Sequence, residues 1–175
     1  MEIRTPRLIL RSARPDDLEA MHAVLSDPSA TRWWSTPPHN TLDQTREWLN
    51  AMIANGPHHP DFVVELDGRV IGKAGFYAMP EIGYILHPGV WGQGLGGEAV
   101  GATIDHVFGT HDVDALSADV DPENAASIRL LERLGFVGTG SAERTWNIGG
   151  AWKDSVYYAL SRTDRAAATG GQAPA

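Results

Sequence analysis

The sequence predicts a single α/β domain with a mixed, mostly antiparallel sheet of six to seven strands and about four helices. Three observations support this fold class. Two β-rich segments flank Asp67-Gly68, a dipeptide that accepts the positive φ values of a tight hairpin turn. The stretch from Glu81 to Phe108 begins as a β-strand, passes through a glycine-dense loop and ends with apolar residues at helical spacing. A further strand and helix follow between Ala115 and Leu134.

Composition restricts the class of protein. The 175 residues, of which 42% are apolar, are enough for one globular domain with a sizeable core. The absence of cysteine excludes disulfides, zinc held by cysteine and any cysteinyl intermediate in acyl transfer. A net charge of −8 disfavours nucleic acid as a partner and favours a cationic substrate.

The two ends of the chain bear on its location and domain limits. Met1 to Pro6 lacks the apolar core of a signal peptide, and no stretch reaches the length of a membrane span. We therefore expect a cytoplasmic protein without a membrane partner. Near the other end, alanine, glycine and threonine replace the apolar period, so we predict a folded domain over residues 1–162 and a flexible tail over residues 163–175.

The N-terminal region is predicted to hold one strand and two helices. Arg7 to Arg11 is a short strand, and Pro15 suits the first position of a helix that ends at Asp27-Pro28. Thr41 and Gln44 have the spacing of a capping box, in which each side chain bonds the backbone amide of the other residue. This pair predicts the start of a second helix.

A proline-rich loop between these helices carries two adjacent tryptophans, Trp33 and Trp34. Two indoles in a loop can wall a substrate pocket, and they can equally fill a small core, so both interpretations stay open at this point. A second loop holds His58 and His59 between prolines. Neighbouring histidines without clustered carboxylates are more typical of a surface loop than of a metal site, so we expect no metal.

Five of the nine residues from Gly89 to Gly97 are glycine, and this loop leads directly into the next predicted helix. Without Cβ atoms the backbone can approach a ligand closely, and the unpaired first amides of a helix favour an anion such as phosphate. No Gly-Lys-Ser/Thr sequence follows, so the loop is a poor match to the P-loop of nucleoside triphosphatases. A diphosphate on a larger cofactor fits the pattern, and so does a merely flexible connection.

The C-terminal half completes the predicted fold. Ala115 to Val120 is a strand, and the segment from Asp121 to Asn124 opens a helix that either of these two side chains can cap. Gly135 suits the left-handed end of that helix. Two strands are expected to follow, one beginning at Phe136 and the last from Ser155 to Ser161.

Two segments make the sequence recognisable. The glycine loop reads Trp-Gly-Gln-Gly-Leu-Gly from Trp91 to Gly96, and Asn124 to Phe136 reads Asn-Ala-Ala-Ser-Ile-Arg-Leu-Leu-Glu-Arg-Leu-Gly-Phe. In this order and spacing they resemble two linked signatures of the GNAT N-acetyltransferase superfamily. The resemblance is strongest to its RimJ/RimL-like branch, the ribosomal-protein N-terminal acetyltransferases and their relatives.

Three shorter segments support the resemblance, which covers nearly everything from Arg4 to Arg162. They are the opening Thr5 to Arg11, the strand Glu81 to Tyr84 and the late Trp152 to Ser155. Trp91 stands where the superfamily often has Gln or Arg, although the RimJ/RimL-like branch commonly accepts tryptophan there.

The resemblance implies acetyl-CoA as the acetyl donor. Its diphosphate would lie on the amides of the glycine loop. Its pantetheine arm would follow the Glu81 strand, where that strand splays from a parallel neighbour, Ala115 to Val120. The implied cofactor-binding residues are Tyr84, Ile85, Leu86, Trp91, Gly92, Gln93, Gly94, Leu95, Gly96, Gly97, Asn124 and Ser127.

Acetyl transfer to an amine requires a neutral amine, a donor for the developing oxyanion and a way to discharge the thiolate. Backbone amides from Tyr84 to Leu86 are the expected oxyanion donors, unless they pair across the sheet. Glu81 is the candidate general base, acting through water, and an ordinary solvated carboxylate at a strand end is the alternative. By resemblance, Ser127 is the candidate acid for the departing sulfur, with Tyr84 as a second candidate.

The predicted acceptor-binding residues are Trp33, Trp34, Glu81 and Trp146, because aromatic rings with nearby carboxylates suit an amine cation before it loses its proton. The expected acceptor is a small-molecule amine or the N-terminus of a peptide. We expect direct transfer in a ternary complex, without metal, by a monomer or a homodimer.

Two other functions fit parts of the sequence. Gly94 to Ala99 also satisfies the G-x-G-x-x-A pattern of dinucleotide oxidoreductases, with acidic Asp119 about twenty residues further on. Against this, Pro88 to Gln93 separate the pattern from the preceding strand. A non-catalytic acetyl-CoA sensor would keep the same fold without an acceptor site.

Overall fold

The structure is a computed structural model that describes residues 1–56 and 58–170. One eight-stranded sheet runs through this part of the chain, with the order β1-β2-β3-β4-β5-β6-β8-β7. The strands are β1 (Glu2–Arg4), β2 (Leu8–Arg11), β3 (Asp61–Leu66), β4 (Arg69–Ala78), β5 (Glu81–Leu86), β6 (Ala115–Val120), β7 (Val137–Ile148) and β8 (Ala151–Ser161). The α-helices are α1 (Leu18–Leu25), α2 (Leu42–Ala54), α3 (Leu95–Thr110), α4 (Ala125–Arg133) and α5 (Arg162–Gly170).

The predicted fold class is confirmed, with two differences in the number of elements. The sheet has eight strands rather than six to seven, partly because the three-residue β1 pairs with β2 through Ile3 and Leu10. The described residues form five α-helices rather than about four, since α5 occupies part of the predicted tail and Arg165 binds Asp105 at 2.8 Å. The last residues of that predicted tail, 171–175, lie outside the described residues.

Local sequence signals account for the hairpin and the capping box. Asp67 and Gly68 have φ values of 50° and 77°, so β3 and β4 join in the predicted tight turn. At the start of α2, the hydroxyl of Thr41 accepts from the Gln44 amide at 3.3 Å, and the Gln44 carbonyl oxygen accepts from the Thr41 amide at 3.2 Å. Both predictions are confirmed.

Helices cover both faces of the sheet, and β5 contributes to each core. Ile82 and Leu86 pack in the larger core, with residues of α3 and α4 such as Ile104 and Leu131. Ile85 packs on the opposite face with residues of α1 and α2. This alternation is the period of two that a β-strand imposes, and each large side chain buried in this way contributes about 1.5–3 kcal/mol.

The sheet opens between β5 and β6, its one parallel pair in the described part of the chain. Glu81 and Ser117 are the only registered partners, and the Ser117 amide donates to the Pro80 carbonyl at 2.9 Å. β6 pairs with β8 over its whole length instead. The two strands therefore meet at the start of β5 and splay apart beyond it, which leaves a seam in the sheet.

This topology removes the oxidoreductase alternative. A dinucleotide-binding half needs consecutive parallel strands joined by helices, whereas the β3, β4 and β5 strands that precede the glycine loop are antiparallel. The match to G-x-G-x-x-A was a coincidence of glycine spacing at the start of α3. No helix among the described residues combines the length and apolar character needed to cross a bilayer.

Candidate active site

The seam exposes backbone amides of β5. The His87 amide donates to the Ile71 carbonyl at 2.8 Å, so the amides of His87 and, by alternation, Ile85 point toward β4. The amides of Tyr84 and Leu86 consequently point the other way, toward β6, beyond the single registered pair of that ladder. Two adjacent donors on the same edge of β5 thus face the seam.

A cleft of about 740 Å³ lies over the seam, walled by β5 on one side and by β6 and α4 on the other. It brings together eleven of the twelve predicted cofactor-binding residues, the exception being Gln93. The lining residues are Ser29, Ala30, Trp33, Trp34, Ser35, Ile82, Tyr84, Ile85, Leu86, Val90, Trp91, Gly92, Gly94, Leu95, Gly96, Gly97, Ala118, Asp119, Val120, Asp121, Asn124, Ala126, Ser127, Leu130 and Arg133.

The glycine loop forms the end of this cleft where α3 begins. Gly94 is the residue before the helix, with a φ of 76° that favours glycine and no side chain to cap the first amides. A Cβ atom at Gly92 or Gly97 would meet nothing within 4 Å, so bare backbone borders open space there. The Trp91 indole donates to the Leu86 carbonyl at 2.9 Å and ties the loop to the end of β5. These amides can hold a phosphate or diphosphate group.

Asn124 and Ser127 form a reciprocal contact at the start of α4. The side-chain oxygen of Asn124 accepts from the backbone amide of Ser127 at 3.2 Å, which caps the helix. The side-chain nitrogen of Asn124 donates to Ser127 Oγ at 3.1 Å. Of the two caps left open by the sequence, Asn124 is the one used, while Asp121 accepts from the Glu123 amide. Because Ser127 Oγ accepts from Asn124, its hydroxyl proton does not point toward Asn124 and can be donated to another group.

Tyr84 extends from β5 toward Ser127. Its hydroxyl is buried and makes no hydrogen bond of normal geometry within the described residues. Burial raises the pKa of Tyr84 to about 12, and the neighbouring Ser127 hydroxyl opposes part of that rise. Tyr84 therefore stays protonated at neutral pH and can donate a hydrogen bond into the cleft.

Glu81 lies in a smaller cavity of about 90 Å³ that adjoins the cleft and shares Trp33, Ser35 and two aspartates with it. Burial raises the pKa of Glu81, and the negative charge of Asp119 raises it further. The cavity is lined by Arg32, Trp33, Ser35, Glu81, Asp119, Asp121, Trp146, Ile148, Lys153 and Asp154. A raised pKa at a cavity wall is the property that a general base requires.

The predicted tryptophans take different places. Trp33 and Trp34 line the cleft, and Trp34 also packs against the core of α1 and α2, so the pair contributes both to a pocket wall and to a core. Trp146 lines the smaller cavity, where its indole donates to Asp119 at 2.8 Å. Trp152 is 50% exposed and lines neither space.

Sequence reasoning missed several lining residues. Four charged residues of the acceptor side are absent from the sequence predictions, namely Asp119, Asp121, Lys153 and Asp154. The ammonium of Lys153 lies 3.6 Å from Asp121 and over the ring of Trp33. A usable signal was the position of Asp119 and Asp121 at the carboxyl end of a strand parallel to β5, where ligands bind in α/β sheets. No group of three or more side chains able to hold a metal ion occurs in the described ranges.

Comparisons with known proteins agree with this geometry. A sequence profile of the family described as Acetyltransferase (GNAT) domain matches residues 7–137. The uncharacterized N-acetyltransferase p20 of Bacillus licheniformis is 31% identical over 142 residues, which cover 75% of this chain and 80% of that protein. The spermidine N(1)-acetyltransferase of Escherichia coli K12 is 26% identical over 156 residues, covering 84% and 82% of the two chains. RimL, a ribosomal L7/L12 alpha-N-protein acetyltransferase solved in complex with coenzyme A, superposes with a TM-score of 0.81 at 21% identity, covering 92% of this chain and 98% of that chain.

Proposed function

The chain belongs to the GNAT acetyltransferase family and is an N-acetyltransferase, and from this premise we propose that it moves acetyl from acetyl-CoA directly to a primary amine within a ternary complex. The observation that carries the proposal is the seam between β5 and β6, which opens into one cleft together with the glycine loop. The RimJ/RimL-like branch stays a prediction, since the likeness to RimL at 21% identity is one of fold.

The residues present suit acetyl-CoA, which supplies an acetyl group activated as a thioester. The amides between Gly92 and Gly97 would hold the diphosphate, because the backbone borders open space at both of these glycines and the loop leads into the start of α3. Residues Tyr84 to Leu86 and Asn124 would line the pantetheine arm. The amides of Tyr84 and Leu86 are the proposed donors for the oxyanion, because they face the seam rather than β4.

Glu81 is the proposed general base and takes the proton of the acceptor amine through water. An ammonium cation is the main form of an alkylamine at neutral pH, so the proton must be removed before attack. The carboxyl lies among Trp33, Trp146 and further carboxylates, which suit a cation before it is deprotonated. The proposed acceptor site is therefore this cavity together with Trp34 at the adjoining wall of the cleft.

Ser127 and Tyr84 are proposed to discharge the departing thiolate. The side-chain nitrogen of Asn124 donates to one lone pair of Ser127 Oγ, so the serine hydroxyl is oriented to donate to another group. The Tyr84 hydroxyl is buried and protonated. Either proton would stabilise sulfur as its negative charge develops. We assign this step to the pair rather than to one of its members.

The acceptor is proposed to be a small-molecule amine or the N-terminus of a peptide. The named relatives act on both kinds of amine, since one acetylates spermidine and RimL acetylates the N-terminus of a ribosomal protein. The carboxylates of the smaller cavity are compatible with either acceptor. A monomer or a homodimer would present the same cleft.

The test is amine-dependent release of CoA thiol over a panel of polyamines, amino-acid amides and short peptides. We expect release with a restricted set of amines, and we expect Glu81→Gln to lower kcat by about 10²- to 10⁴-fold. The affinity for acetyl-CoA, measured by calorimetry, should stay within about twofold because Glu81 lies in the neighbouring cavity. Tight acetyl-CoA binding with no release from any amine would favour the non-catalytic sensor. Glu81→Gln with normal turnover at every pH would remove Glu81 from the mechanism.

A further inference from the structure

Arg7 connects the N-terminal segment to the glycine loop. Its Nη1 donates to the Gln93 carbonyl at 2.8 Å, and its Nε and Nη2 lie 2.7 and 2.6 Å from Oε2 of Glu98, in the first turn of α3. The backbone amide of Arg7 also donates to Glu98 at 2.9 Å. All three guanidinium nitrogens are thus engaged by the loop and the helix that follows it.

The bond to the Gln93 carbonyl fixes the direction of the next amide. A trans peptide is planar, with its C=O and N–H groups pointing to opposite sides. Because the Gln93 carbonyl points to Arg7, the Gly94 amide points away from Arg7. Gly94 lines the cleft and Gln93 does not, so the cleft lies at the residue whose amide points away from Arg7. The positive φ of Gly94, 76°, is part of the same turn of the chain.

Glu98 holds the arginine in place. Its carboxylate receives the Thr5 hydroxyl at 2.6 Å in addition to the contacts from Arg7, and its side chain is only 15% exposed. Burial would raise the pKa of Glu98, but the hydrogen bonds from Thr5 and Arg7 lower it overall. The carboxylate therefore stays ionised and anchors the guanidinium near the loop.

We infer that Arg7 is a positioning residue for the diphosphate cradle, since it turns the Gln93–Gly94 peptide so that the Gly94 amide faces the cleft. This inference rests on the proposed binding of acetyl-CoA by the glycine loop. Arg7 acts through the loop backbone, because its nitrogens are already committed to Glu98 and Gln93. The opening Thr5-Pro6-Arg7 thereby has a role in cofactor binding although it lies far from the loop in sequence.

The test compares ligands with and without the diphosphate. Arg7→Met should lower the affinity for CoA by about tenfold in calorimetry, because one cradle amide loses its orientation. The affinity for 3′-phosphoadenosine 5′-diphosphate, the fragment of CoA that retains the diphosphate, should fall equally. Turnover with S-acetylpantetheine, which lacks the diphosphate, should be unchanged. Arg7→Lys should behave like Arg7→Met, because one ammonium cannot reach Gln93 and Glu98 together.

One variant tests the anchor and another serves as the control. Glu98→Gln removes the charge that holds the guanidinium and places an NH2 group against one of its donors, so CoA affinity should fall in the same direction as in Arg7→Met. Arg4→Met removes another N-terminal arginine, one paired with Glu2 at the surface, and should have no effect. Circular dichroism and the Tm of each variant verify folding.

The outcomes are distinct. The inference is overturned if folded Arg7→Met binds CoA like the wild type, or if it loses S-acetylpantetheine turnover equally. A wild-type protein that fails to bind CoA at all would overturn the proposed function instead.

Discussion

Glu81 and Asp119 line the same small cavity, one from β5 and the other from β6. Burial and the charge of Asp119 both raise the pKa of Glu81. If Glu81 is the proposed general base, it works only when deprotonated, and its raised pKa places the acidic limb of the kcat/KM pH profile at a higher pH than an ordinary glutamate would. Asp119→Asn removes the like charge while its carbonyl oxygen can still accept from Trp146. We expect the acidic limb to move to lower pH, measured with the amine substrate over a pH series.

Asp154 provides the matched control for this prediction. It lines the same cavity, but its carboxylate accepts from the Arg144 amide, whereas the negative charge that raises the pKa of Glu81 is that of Asp119. Asp154→Asn should therefore leave the acidic limb in place. An equal displacement in both variants would indicate a general charge effect, and no displacement in Asp119→Asn would separate the limb from Glu81.

Residues close in sequence were more predictable than residues joined by the fold. The contact of Asn124 with Ser127 follows from helical spacing, and the sequence limited the cap of α4 to Asn124 or Asp121. The bond from Trp146 to Asp119 could not be predicted, because it joins β7 to β6 although β8 lies between them in the sheet. Strand order of this kind leaves no local signal in the chain.

The first turn of α3 supplies a test in which stability and binding change in opposite directions. Gly97 is helical, lines the cleft and has open space where a Cβ would stand. Gly97→Ala should raise the free energy of unfolding by up to about 1 kcal/mol, because glycine is a poor helix former. The added methyl group would occupy the cradle, so CoA affinity should fall by about tenfold or more, which is about 1.4 kcal/mol. Chemical denaturation and calorimetry measure the two quantities.

Gly109 is the control within the same helix. It also has open space at the Cβ position but lies near the opposite end of α3, away from the cleft. Gly109→Ala should give a similar gain in stability without a change in CoA affinity. If Gly97→Ala became more stable and still bound CoA normally, the cradle would have to lie elsewhere on the loop.

Elements with a strong local signal were predicted, and those stabilised by distant partners were not. The hairpin turn and the capping box each depend on two residues of fixed geometry. β1 is too short to show a period and exists because it pairs with β2. The ammonium of Lys73 in β4 is buried 2.5 Å from the carboxylate of Asp61 in β3. Only the pairing of β3 with β4 brings these two charges together.

At the scale of the whole molecule, the candidate active site lies where the pairing of neighbouring strands changes from antiparallel to parallel. Antiparallel strands β1 to β5 form one part of the sheet, β6, β8 and β7 form the other, and the parallel contact between β5 and β6 joins them at one end. Ligands in α/β sheets bind where neighbouring strands diverge at their carboxyl ends. The seam, the glycine loop and the acidic cavity all lie at this boundary, so the fold itself places the three proposed binding functions side by side.

The net charge of −8 predicts opposite salt effects on the two substrates. A cationic amine is attracted by the field of the protein and a polyanionic acetyl-CoA is repelled, and both effects are screened as the Debye length falls from about 30 Å at 0.01 M to about 8 Å at 0.15 M salt. Over this range, kcat/KM for the amine should fall while kcat/KM for acetyl-CoA should rise. S-acetylpantetheine carries no charge, so as the varied donor it should show little change and serves as the control. A parallel fall in kcat/KM for the amine, acetyl-CoA and S-acetylpantetheine would mean that salt acts on the stability of the protein. A fall in kcat/KM for acetyl-CoA alone would mean that local cations, such as Arg133 at the cleft, outweigh the net charge.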